Sequence, residues 1–206
     1  MPIDRSSVRY TMVAIILHWV MALGIGLLAV MGWVMVHAKL DPPQLFQLYQ
    51  LHKSIGITLL LAAVFRLVWR LTHRPPPLPE TMPPLERAAA KGGHLLLYLF
   101  LFGLPLTGWA LVSSSVFNIP TVLYGVISWP DLPFLSTLAD KAPVEAVLKL
   151  MHAYGAYALI ALVGLHAAAA LRHHFIVKDD VLLGMLPSLV ARRRSAPEST
   201  QLEESK

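Results

Sequence analysis

The chain has 206 residues, of which 56% are apolar and only 14% charged, and its mean hydropathy is +0.60. That composition lies outside the usual range of soluble globular domains and places the chain in a bilayer. A net charge of +5 and a pI near 9.6 would suit a nucleic-acid binder, but the basic residues separate by side of the membrane instead; the absence of cysteine excludes disulfides, thiolate metal sites, iron–sulfur clusters and thioether-linked cofactors.

Four apolar runs are long enough to cross roughly 30 Å of hydrocarbon at about 1.5 Å per residue. The first, Thr11 to Val36, follows Arg5 and Arg9 and carries His18; its 26 residues exceed a signal-peptide core, so a retained helix is expected. The second, Phe46 to Trp69, has His52 and Lys53 near its start and Arg66 and Arg70 about its end. The segment THRPPPLPETMPPLERAAAKGG that follows is Pro-rich with basic edges and reads as a semi-rigid linker. The third run, His94 to Phe117, contains GLPLTG, where Pro105 between Gly103 and Gly108 should kink the helix, as a purely structural bend or, alternatively, one that makes room for a bulky prosthetic group. VFNIPTVLYGVISWPDLPFL is apolar enough for a fifth span, but Pro120, Pro130 and Pro133 would leave backbone groups unsatisfied in lipid. A loop lying at the membrane surface is expected there.

The fourth run, Val147 to Leu171, holds His152 and His166 and runs into Arg172, His173 and His174. From Pro187 onward the chain lacks the apolar content to fold alone, and Arg192, Arg193 and Arg194 suit anionic headgroups. The expected organisation is an all-α, four-helix transmembrane bundle over residues 1–186, with helices at about 11–36, 46–71, 92–117 and 147–173, and a polar cytoplasmic tail over 187–206. With both termini inside, thirteen of the seventeen Lys and Arg face the cytoplasm and only Lys39, Lys53, Lys141 and Lys149 lie outside. That bias predicts a membrane protein with both termini in the cytoplasm, and no nucleic-acid partner.

Ionisable groups are costly in a bilayer, yet five of the nine histidines fall within the four runs. Counting from the membrane edges puts His18 and His166 at one depth near the inner side, and His52 and His152 at another near the outer side. His152 and His166 are fourteen residues apart, a rise of about 21 Å with only about 40° of angular offset, so one helix presents both imidazoles on one face. Two layers of paired histidines are what is needed to hang two planar iron macrocycles in series across a membrane, one His on either side of each iron. A single transmembrane His is more often a packing residue, and four in matched layers shift the balance to bis-histidine ligation of haem b. A bare metal site is disfavoured because the layers lack carboxylates.

Small residues sit a turn away from each proposed ligand (Ala14 and Ala22, Gly56, Gly155, Ala169 and Ala170), which gives a porphyrin clearance or simply aids helix packing. Haem propionates need cations; Arg66, Arg70 and Arg172 are available at the inner level and Lys53 and Lys149 at the outer, besides their snorkelling role. His94 opens the third run at the inner level and is open to three roles: an alternative ligand, a propionate partner, or a residue lining a quinone site. His173 and His174 are candidates for proton handling or quinone contact at the cytoplasmic interface, or ordinary interfacial residues. No side chain stands out as a catalytic acid or base, and no internal repeat, phosphate-binding loop or dinucleotide fingerprint occurs.

The motifs ILHWVMAL around His18, LHKSIGI with RLVWRL around His52, GGHLLLYLFLFGLPLTGW around His94, and MHAYGAYALIALVGLHAAAALRHHFIVKDDVLLGMLP at the end together resemble the bacterial cytochrome b561 family of small dihaem inner-membrane proteins. The resemblance spans roughly Arg9 to Pro187. It implies two non-covalent haem b groups, held by His18 with His166 and by His52 with His152, and electron exchange with ubiquinone. It also implies a quinone-linked oxidoreductase that oxidises superoxide on the outer side. The alternative within the same resemblance is a cytochrome b subunit relaying electrons between quinone and a docked periplasmic redox protein such as a dehydrogenase or hydrogenase. A haem-free scaffold or transporter is the alternative from a different class.

Overall fold

In the computed structural model, residues 9–79 and 81–187 are described. The N-terminal Arg5 and nearly all of the expected tail, from residue 188, lie outside them. Four helices are long and apolar enough to cross a membrane: α1 (Met12–His37), α2 (Pro42–Thr72), α3 (Pro84–Ser113) and α5 (Ala142–Arg172), the last continuing through a single wide turn at His173–Val177. Most of their surface faces outward, with Leu23, Val36, Leu71 and Leu165 on the exterior, as lipid-facing apolar side chains require.

Start and stop signals explain the helix ends. Thr11 caps α1 by accepting the Ala14 amide at 3.3 Å, and prolines begin α2, α3 and α5, where their missing amide costs nothing. The helix α3 starts ten residues before His94, so the second half of the expected linker is helical. Glu86 in its first turn and the run Ala88, Ala89, Ala90 favour helix strongly enough to override Gly92 and Gly93. At its other end α3 stops at Ser113 rather than near 117, and Asn118 takes a positive φ of 48°.

Beyond α3 the chain forms a small antiparallel hairpin, β1 (Thr121–Leu123) and β2 (Ile127–Trp129), paired Thr121 with Trp129 and Leu123 with Ile127, and then the short helix α4 (Pro133–Ser136). The expected surface loop is therefore an ordered cap. Tyr124 and Gly125 both take positive φ at its turn, a conformation glycine accepts freely. Its backbone is tied to α2: the fully buried Ser54 hydroxyl accepts the Tyr124 amide at 2.9 Å, Gln50 donates to Pro120 O at 2.9 Å, and the Thr58 and Tyr124 hydroxyls lie 2.7 Å apart. On α3, Ser113 accepts the Leu132 amide at 2.9 Å, and Trp109 donates to Pro130 O at 2.9 Å.

The opposite end of the bundle holds both ends of the described chain. Arg9 donates to Leu186 O at 2.6 Å, Tyr10 N–H to Gly184 O at 3.3 Å, and the Trp19 indole to Met185 O at 2.8 Å. Within the bundle the main packing is of α1 on α2, α2 on α3 and α3 on α5, and α1 and α2 approach α5 less closely. The buried cluster of Met21, Leu59 and Ala63, with Ile25, Leu28 and Phe102 against it, fills the seam of α1, α2 and α3 at mid-depth. Space along α5 is left for the histidines.

Candidate functional site

The histidines form two layers, one toward the hairpin end and one toward the terminal end. On the hairpin side the His52 and His152 ring centroids are 6.3 Å apart with planes at 74°; on the terminal side His18 and His166 are 6.2 Å apart at 62°. An ion held between two imidazole nitrogens at about 2 Å each, with each nitrogen about 1.2 Å from its ring centre, separates the centroids by roughly 6 Å. Both pairs meet that spacing, and both reach across the helix gaps, α1 to α5 and α2 to α5, that the backbone leaves open. Among the described residues no group of three or more His, Asp or Glu is placed to hold a bare ion. The geometry suits a ligand that brings its own equatorial donors, which is what a porphyrin does.

His152 is oriented from behind. Its Nδ1 lies 3.1 Å from Leu104 O and 3.2 Å from Thr107 Oγ1. A carbonyl only accepts, so Nδ1 carries the proton and the Nε2 lone pair is left to bind metal. A Cβ added at Gly108 would come within 3.0 Å of the His152 Cε1, so glycine is what lets the ring lie against α3. His52 differs: its Nδ1 is buried with no hydrogen-bond partner among the described residues.

The terminal-side layer is richer in charge. Arg66 donates to Ala14 O at 3.2 Å, one turn before His18, and its charge acts on His18, His94 and His166. Arg70 acts on His94, and its guanidinium lies over the Tyr98 ring at 5.4 Å from the centroid. His94 is hydrogen-bonded to the Ala90 backbone, and its ring centroid is 5.5 Å from that of His166, closer than either pair. Tyr10 joins this cluster, although sequence reasoning passed over it. Burial holds its hydroxyl above the usual phenol range, against the lowering fields of Arg70 and Arg66.

The remaining candidates have other partners or stand apart. Arg172 pairs with Glu86 at 3.2 Å and ties the end of α5 to the start of α3. His173 Nδ1 meets Asp179 Oδ2 at 2.6 Å, both largely buried. Lys53 donates to Pro120 O at 3.5 Å and lies within the field of Asp131, while Lys149 is exposed. His37 and His73 stack on Trp33 and Trp69 at the helix ends, away from both layers. Leu104, Thr107 and Gly108 lie in the GLPLTG segment, whose sequence signal is the proline kink and the room that such a bend could give a prosthetic group.

Residues 9–188 match the family described as prokaryotic cytochrome b561. Among similar proteins, cytochrome b561 homolog 2 of Escherichia coli K12 is 35% identical over 187 residues, covering 90% of this chain and 95% of that one. A "probable superoxide oxidase CybB" of Yersinia pestis is 28% identical over 183 residues (87% of this chain, 96% of that one), and cytochrome b561 homolog 1 of Escherichia coli K12 is 28% identical over 185 (87% and 97%).

Proposed function

The chain belongs to the prokaryotic cytochrome b561 family of electron-transfer proteins that span the inner membrane several times and imply b-type haem, and from that premise we propose that it holds two haems and passes electrons between a donor on the hairpin side and ubiquinone. His18 with His166 and His52 with His152 are the ligands. The observation that carries this reading is the near-equal separation of the two histidine pairs, 6.2 and 6.3 Å, at two depths along one helix. When bound, each haem supplies a one-electron iron couple inside the low-dielectric bundle. The chain supplies axial nitrogens, cations for propionates and exclusion of water.

Arg66 and Arg70 are the cations that converge on the terminal-side layer, and Lys53 and Lys149 those nearest the hairpin-side layer. Arg172 and His173, spent on Glu86 and Asp179, act by fastening the terminal end. His94, beside His166, is the group able to hand on a proton when quinone is reduced. The excess of Lys and Arg in the terminal-side segments supports a cytoplasmic terminal side and a periplasmic hairpin.

The preferred donor is superoxide: two anions each give up one electron and leave as dioxygen, and the quinone takes two electrons and two protons. Its support is the family and the "probable superoxide oxidase" among the relatives. The second reading, a subunit docked to a periplasmic redox protein, is favoured by an apolar hairpin-side face on which Val126 is 82% and Phe117 75% exposed. Mixing superoxide with the purified, oxidised, haem-loaded protein and ubiquinone separates the two. The superoxide reading expects haem reduction and one quinol per two superoxide consumed; intact haems that stay oxidised overturn it and leave the docked subunit.

A further inference from the structure

Resting on the dihaem reading above, we propose that the face of α3 formed by Leu104, Thr107 and Gly108 is the positioning element of the hairpin-side site. It supplies no ligand, yet it fixes the tautomer and plane of His152, and Thr107 lowers the potential of the haem that His152 holds.

The Thr107 hydroxyl donates to Leu104 O at 2.7 Å, and its oxygen then accepts from His152 Nδ1 at 3.2 Å while the same N–H faces Leu104 O at 3.1 Å. Two acceptors therefore share one imidazole proton. Pulling that proton away from the ring makes Nε2 the stronger electron donor, and a stronger axial donor stabilises the ferric state. The groove beside it, about 200 Å³, is lined by Leu99, Phe100, Gly103, Leu104, Met151 and Gly155, with Thr107 the sole polar side chain on its wall among the described residues.

Gly108 completes the device. A Cβ there would lie 3.0 Å from His152 Cε1 and 3.3 Å from Nδ1, against ring atoms that cannot bend aside like the tip of a flexible chain. Across the same haem, His52 has a buried Nδ1 with no hydrogen-bond partner among the described residues. Of the two hairpin-side ligands, His152 is the one that is anchored.

The test is a redox titration of the purified full-length protein, with haem content measured in parallel and the hairpin-side couple identified as the one lost in His152→Ala. Thr107→Val, which keeps the shape and removes the oxygen, should retain two haems, raise the hairpin-side potential and leave the terminal-side potential alone; Thr107→Ser should restore the wild-type value. Two bound haems with a hairpin-side potential unmoved or lowered would overturn the proposal. Gly108→Ala provides the independent arm: it should reduce haem content from two toward one or alter the hairpin-side low-spin ferric EPR signal. Two haems with unchanged EPR in that variant would also overturn it. A wild-type protein that binds no haem would instead refute the functional reading on which this rests.

Discussion

The His52 and His152 rings face one another at 6.3 Å across the open seam between α2 and α5, with planes crossed at 74°. Neither side chain has a carboxylate partner among the described residues, and a shared central ligand would account for two half-buried imidazoles meeting at this distance in an apolar layer. Replacing either with Ala should remove the hairpin-side haem and leave the terminal-side one partly or wholly occupied. Haem content would fall from two toward one per chain. If both variants keep two haems, the pairing by layers is wrong.

The His94 and His166 ring centroids are 5.5 Å apart, whereas those of His18 and His166, at 6.2 Å, match the separation expected for an ion between two imidazoles more closely. His94→Ala should therefore keep both haems and slow electron delivery to quinone, whereas His18→Ala should lose the terminal-side haem. Haem assay and stopped-flow reduction of the two variants check this; loss of a haem in His94→Ala with retention in His18→Ala would exchange their roles.

The turn after α5 is fastened by His173 and Asp179, 2.6 Å apart and only 13% and 17% exposed. Asp179 also accepts the Val181 amide at 3.1 Å, and the segment it releases bonds Trp19, next to His18. Asp179→Asn weakens that charge-assisted contact, at a cost of about 1–3 kcal/mol. Lys178, held at a φ of 61° in the turn, should then be cut faster by trypsin in detergent. Cleavage at the wild-type rate would show that the pair does not hold the strap.

Ser54 is fully buried; its hydroxyl donates to Gln50 O at 2.7 Å and accepts the Tyr124 amide at 2.9 Å. Ser54→Ala leaves that amide without its acceptor under the hairpin, which should cost about 1–3 kcal/mol. A lower Tm of the purified protein, with both haems retained, is the expected result. An unchanged Tm would mean that the hairpin is not held through this contact.

The parts of this protein legible in its sequence are those fixed by helix regularity. Hydropathy locates four spans, and the fourteen-residue spacing places His152 and His166 on one face from helix geometry alone. The hairpin is not legible in the sequence because its apolar residues read as an interrupted span; it is held in part by Gln50 and Ser54, some seventy residues earlier in the chain. The extension of α3 was masked by a proline run that starts the helix rather than excluding it. Contacts between helices, such as Arg172 with Glu86 or His152 with Leu104 and Thr107, obey no local periodicity and emerge only from packing. Tyr10, outside the apolar spans, gave no pattern at all.

The most direct test of the central claim is haem stoichiometry by pyridine haemochrome assay on the purified chain, set against polypeptide concentration from amino-acid analysis. Two haem b per chain, falling toward one in His52→Ala and in His18→Ala, is the predicted result. A well-folded protein with no haem, or one whose haem content is indifferent to all four histidines, would contradict it.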